Sequence, residues 1–91
     1  MRVIWTESAS DDVTAIVDFI STDDPAAGRR VAKEIFDRIM SLVDAPYRGR
    51  KRSTDESREI VFAPWPYVAI YSVIEDKIFV LHVRHTARLW P

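Results

Sequence analysis

Pro66-Tyr67-Val68-Ala69-Ile70-Tyr71-Ser72-Val73-Ile74, then Glu75-Asp76, then Lys77-Ile78-Phe79-Val80-Leu81-His82-Val83-Arg84, decide the fold. Two β-branched and aromatic runs around an acidic dipeptide read as a β-hairpin. Strands whose only acidic residues sit at the turn belong in the middle of a sheet. Strict alternation places Ile78, Val80, His82 and Arg84 on one face, and Phe79, Leu81, Val83 and His85 on the other. One apolar face packs helices; the other is left partly covered, a patch expected to bind something. His85-Thr86-Ala87-Arg88-Leu89-Trp90-Pro91 follows with no linker, so a His and two Arg leave the strand together in fixed geometry.

Working back toward Met1, Arg58 to Ala63 reads as a further strand and Pro64-Trp65-Pro66 as a tight corner, since proline cannot donate to a ladder. Tyr47 to Ser57, with Gly49 and four cations, reads as a loop. The stripe Val31, Ile35, Ile39 and Leu42 predicts a helix that Phe36, Met40 and Val43 widen, that Asp24-Pro25 opens and that Pro46 stops. Ala9, Val13, Ile16, Val17 and Ile20 predict an earlier helix with Asp11, Asp12 and Asp18 on its outer side. Ser8-Ala9-Ser10-Asp11 has the form of its capping box, and it ends near Ser21-Thr22. Three or four residues between the helices force an antiparallel hairpin. Met1 to Trp5 is a short first strand. The order β-α-α-β-β-β predicts an α+β fold in one domain, 1–91, with three final antiparallel strands and the helical pair on one sheet face.

At 91 residues, folding buries only roughly 60–65% of the exposable surface, so the core is modest. The chain has no cysteine, which removes disulfides, thiolate nucleophiles and thiolate metal sites, and fits a reducing cytosol. No signal peptide or membrane span is legible, so the expected place is the cytoplasm. The net charge of −1 hides a gradient. Residues 1–28 hold Arg2 against six Asp/Glu, whereas residues 48–91 hold eight Lys/Arg against five Asp/Glu. Such a dipolar surface attracts an anionic partner on one side only, unless both faces are simply solvated.

Each charged motif has two readings. Arg50, Lys51 and Arg52, with Arg48, suit a phosphate backbone or a solvated loop facing the acidic helix. His85 and Arg88 with Trp90 suit phosphate binding or proton transfer, or else Trp90 caps the core edge while Arg88 pairs with a carboxylate. Arg58 meets a target or pairs with Asp55 or Glu56. His82, within an apolar strand, reads as a core histidine. His82 and His85 on opposite faces make no metal site, and no glycine-rich cradle or nucleophile turn is present, so no cofactor is expected.

Val3-Ile4-Trp5-Thr6, Asp24-Pro25-Ala26-Ala27 and Leu42…Pro46…Gly49-Arg50 resemble the ParE/RelE toxin superfamily. So do Arg58-Glu59-Ile60, Pro66 to Tyr71, and the ending Val83 to Pro91, so the resemblance covers essentially the whole chain. It implies the toxin half of a bacterial type II toxin–antitoxin pair. RelE-like members cut messenger RNA on the ribosome and typically carry an Arg where this chain has Val68. An aliphatic side chain neither neutralises a phosphate nor moves a proton. The ending resembles the ParE branch, which inhibits DNA gyrase without a nuclease centre. The expectation is therefore a non-enzymatic gyrase inhibitor with no catalytic residues; the alternative is a ribosome-dependent endoribonuclease. Target contacts are expected among Arg50, Lys51, Arg52, Arg58, Arg84, His85, Arg88 and Trp90. A ParD-like antitoxin, forming a hetero-oligomer, is expected against Ile35, Phe36, Ile39 and Met40.

Overall fold

The computed structural model describes residues 1–88. β1 (Arg2–Trp5), α1 (Glu7–Asp23) and α2 (Pro25–Ser41) are followed by β2 (Arg50–Lys51), β3 (Arg58–Val61), β4 (Tyr67–Ile74), β5 (Lys77–His85) and a 3-10 turn at Thr86–Arg88. The fold is α+β, as the pattern predicts. The sheet runs β1-β5-β4-β3-β2, so the two greasy strands are interior. β2 through β5 pair antiparallel, while β1 lies parallel beside β5 and makes the sheet mixed. β2, two residues inside the expected loop, carries too little periodicity to be seen in sequence.

Alternation along β5 is broken. Ile70 pairs with His82 but Tyr71 pairs with Val80, leaving Leu81 as the extra residue of a β-bulge. The bulge reverses the facing of everything beyond it. Ile78, Val80 and Val83 all enter the helix-packed core, and Arg84 lies opposite Val68 on the other face. The expected grouping of Val80 with His82 and Arg84 is thereby corrected. Nor is His82 a core histidine: its side chain is 38% exposed.

The helix boundaries follow from local chemistry. α1 begins earlier than a Ser8 capping box requires, because Thr6 is the cap: its Oγ1 accepts from Ala9 N at 3.1 Å. Thr6 is held there by β5, its N–H and hydroxyl both reaching the Val80 carbonyl, at 3.1 and 2.8 Å. The cap is thus selected by the sheet rather than by the helix sequence. One residue, Asp24, joins the helices, where three or four were expected; its N–H closes α1 on Ile20 O and its carboxylate caps α2 on Ala27 N. So short a joint presses the helices together at Gly28, where a Cβ would stand 1.9 Å from Ser21 Oγ. α2 ends at Ser41, and i→i−3 bonds from Leu42 to Ala45 tighten the chain until Pro46.

The core joins α2 (Val31, Ile35, Ile39) and Leu42 to Ala69, Tyr71, Ile78, Val80 and Val83 of the sheet, with Ala9 from α1. Buried Tyr71 also carries a polar duty. Its hydroxyl accepts from Gly49 N at 2.9 Å and donates to Pro46 O at 2.8 Å, fastening the post-helical loop to the central strand. Gly49 is required by that approach, since a Cβ would lie 2.5 Å from the hydroxyl and 2.8 Å from the Glu59 carbonyl.

Tyr71→Phe should cost about 1–3 kcal/mol, because a buried amide and carbonyl lose their partner. Urea unfolding measures the cost, and amide exchange at Gly49 should accelerate selectively. Gly49→Ala should cost a similar amount by overlap.

Candidate functional site

Beyond Val80, β5 keeps β4 on one side but has no strand on the other, because β1 ends at Trp5. α1 takes the vacant place. Asp12 Oδ2 accepts from the Val83 amide at 3.0 Å, supplying the acceptor a neighbouring strand would have given, and lies 3.6 Å from His82 Nδ1. Asp12 therefore faces β5, not the outer side of α1. Further along, helix and strand diverge around a cleft of about 630 Å³. Asp12, Ala15, Ile16 and Phe19 line one wall, and Tyr67, Val83, Arg84 and His85 the other.

Phe19 is 78% exposed on the lip of the cleft. Sequence reading passes over it because it lies outside the core stripe of α1. The spacing Asp12, Ala15, Ile16, Phe19 (i, i+3, i+4, i+7) is the signal of a second, adjoining stripe. His85 is exposed; its Nδ1 accepts from Ala87 N at 3.1 Å, which puts the ring proton of the neutral form on Nε2. The ring meets Tyr67 edge-on, with centroids 5.7 Å apart.

The remaining expected target contacts separate into two groups. Arg84 is exposed and pairs with no carboxylate among the described residues. Arg58 does not pair with Asp55 or Glu56. It donates to the carbonyls of Tyr47 (3.2 Å) and Gly49 (3.0 Å), with its guanidinium 5.1 Å from the Tyr47 ring centroid. It is a brace for the loop that Tyr71 also holds. Arg50 pairs with Glu59, whose side chain is only 8% exposed, and Lys51 pairs loosely with Glu56 at 3.4 Å. Arg52 continues the edge, its N–H on Ser57 O. Asp55 beside it titrates below its ordinary 3.8, chiefly because the Ser57 hydroxyl and amide bond its carboxylate, with a smaller pull from Arg52. The Arg88 side chain and Trp90 lie outside the described residues.

Of the stripe expected to meet a partner, Ile35 and Ile39 are 1% and 0% exposed. They are spent on the core and present no surface, because they lie at the centre of the face that α2 buries. Phe36 and Met40 remain open, at 54% and 40%. Val68, expected to face a reaction centre, is fully buried.

A sequence profile described as "ParE toxin of type II toxin-antitoxin system, parDE" matches residues 3–90. The chain is 40% identical over 88 residues to "Toxin RelE2" of Caulobacter vibrioides, covering 97% of this chain and 98% of that one. It is 33% identical over 90 residues to Y4kP of Sinorhizobium fredii, covering 99% and 93%. Among solved structures, a chain of the "Chromosomal ParDE TA system from P. aeruginosa" superposes with a TM-score of 0.82 at 24% identity, over 93% of this chain and 95% of that one; this is a likeness of fold.

Asp12→Ala should lower the urea midpoint by the equivalent of about 1–3 kcal/mol, since the Val83 amide is left without an acceptor. Asp12→Asn, which retains an acceptor oxygen, should recover most of it. Equal losses in both variants would assign the effect to charge instead. Ser57→Ala should return the Asp55 pKa toward its ordinary value, read by carboxyl NMR titration.

Proposed function

The chain belongs to the ParE toxin family of type II toxin–antitoxin systems, and from that premise we propose that it acts in the cytoplasm as a non-enzymatic inhibitor of DNA gyrase, neutralised by a ParD-like antitoxin. The observation that carries the non-enzymatic part is the scattering of its cations. A phosphodiester-cleaving centre needs acid, base and phosphate clamp within about 3 Å of the reacting atoms. Arg58 shares a face with Tyr71, whereas Arg84 shares the opposite face with Val68. His85 pairs with Tyr67, four residues along β4 from Tyr71 and two strands from β3. At about 3.3 Å per residue and 4.8 Å per strand, His85 and Arg58 stand roughly 16 Å apart. Arg58 is in any case engaged with two carbonyls. Position 68 offers a buried hydrocarbon. The molecule clings; it does not cut.

The antitoxin reading rests on two apolar surfaces. Phe36 and Met40, one helical turn apart on α2, suit the apolar face of a partner helix. The cleft between α1 and β5 suits an extended segment: an apolar wall at Ala15, Ile16 and Phe19 opposite a polar rim formed by the Arg84 guanidinium and the His85 imidazole. A disordered antitoxin tail that orders in the cleft would mask the basic end of the toxin. One hetero-oligomer would cover both surfaces.

The name RelE2 borne by the Caulobacter relative favours a second reading, ribosome-dependent cleavage of messenger RNA. The two separate cleanly. Purified toxin should block supercoiling or trap gyrase on cleaved DNA, while transcripts in a translation extract stay intact. Gyrase unaffected by excess toxin, with messages cut in an Arg84- and His85-dependent way, would reverse the assignment. For the antitoxin, Phe36→Glu with Met40→Glu should weaken binding at least tenfold by calorimetry while leaving thermal unfolding little changed. Unaltered affinity would move the helix contact elsewhere.

A further inference from the structure

The cations from Arg48 to Arg52 are not used by the cleft. We propose that this edge, with Arg48, Arg50, Lys51 and Arg52, binds the phosphate backbone of duplex DNA. They occupy the outermost strand of the sheet and its flanks, and the exposed side chains of Arg50 and Lys51 point to opposite faces of β2. The strand is braced from beneath by the Tyr71 hydroxyl on Gly49 and by the Arg58 guanidinium on Tyr47 and Gly49. A strand whose backbone is already held loses less entropy on binding than a free loop would. Positions 50 and 52 are about 6.6 Å apart in an extended chain and point the same way, so both can reach one strand of a duplex.

The internal carboxylates do not quench this edge. Glu59 is nearly buried and balanced by Arg50, whose own side chain stays 80% exposed with donors to spare. Glu56 and Lys51 form a solvent-exposed pair, a type worth at most about 1 kcal/mol, so Lys51 is released at little cost. Asp55 is turned onto Ser57. The acidic α1 packs on β5, three strands away, about 14 Å at the sheet spacing and beyond a screening length of about 8 Å. The overall charge of −1 therefore does not describe the potential at β2.

A duplex suits the edge better than a single strand. Single-strand recognition stacks successive bases on a series of open aromatic faces, and residues 44–57 hold one ring, the exposed Tyr47, with a face given to the Arg58 guanidinium. The choice of DNA over duplex RNA rests on the gyrase reading, since that target holds duplex DNA. A toxin gripping both enzyme and DNA would lengthen the life of their complex.

The test uses the toxin alone with a labelled 40-base-pair duplex of random sequence, read by fluorescence anisotropy from 50 to 200 mM salt. About four phosphate contacts predict a fall in affinity on the order of a hundredfold across that range. The triple variant Arg48→Gln/Lys51→Gln/Arg52→Gln keeps Arg50 on Glu59 and should reduce the fall to about fourfold. A control, Arg29→Gln/Arg30→Gln/Lys33→Gln on α2, removes the same charge and should leave the wild-type slope. Equal losses in both triples, no binding at 50 mM salt, or tighter binding of single-stranded or duplex RNA would each overturn the proposal. Gyrase is absent from this assay, so its failure and failure of the gyrase reading are separate results.

Discussion

A single extra residue, Leu81, governs how this sheet meets its helices. Without it, β5 would turn Val83 outward and present Arg84 to the core, where an unpaired guanidinium has no place. With it, Ile78, Val80 and Val83 share the helix side, and Arg84 is released to the opposite face. The bulge also sits where β1 stops. Leu81 O accepts from the Thr6 hydroxyl, so the end of one strand, the irregularity in its neighbour and the cap of α1 form one joint. Beyond that joint α1 takes over the free edge of β5.

That substitution explains the cleft. A helix cannot follow a strand's ladder of amides and carbonyls for long. It satisfies one amide through Asp12 and then departs, leaving space between Phe19 and His85. The same region holds the polar rim of the strand's end. A site lined by hydrocarbon on one wall and charge on the other is thus a geometric by-product of ending β1 at Trp5.

At the other end of the sheet the logic is bracing rather than opening. Tyr71 and Arg58 spend their polar groups on backbone atoms of Pro46, Tyr47 and Gly49. A tyrosine hydroxyl and a guanidinium suit this work, since one both donates and accepts and the other offers several donors in a fixed fork. Arg58 shows why a cation in sequence is a poor guide to a binding site: its partners are main-chain atoms nine and eleven residues away.

Local pattern by itself determined the elements that repeat. The hairpin of β4 and β5, the buried stripe of α2, the Asp24-Pro25 cap and the α+β order follow from periods of 2 and 3.6 and from proline's missing amide. Tertiary structure alone decided the rest. Whether Thr6 or Ser8 caps α1, whether Asp12 faces water or Val83, and whether Val68 is open or sealed depend on where remote strands stop. Ile35 and Phe36 carry similar hydrophobicity, yet one is core and the other surface, because burial is set by what lies opposite. The bulge is the sharpest case: no residue near Leu81 announces it, since the parity of a strand is fixed by the packing it must satisfy.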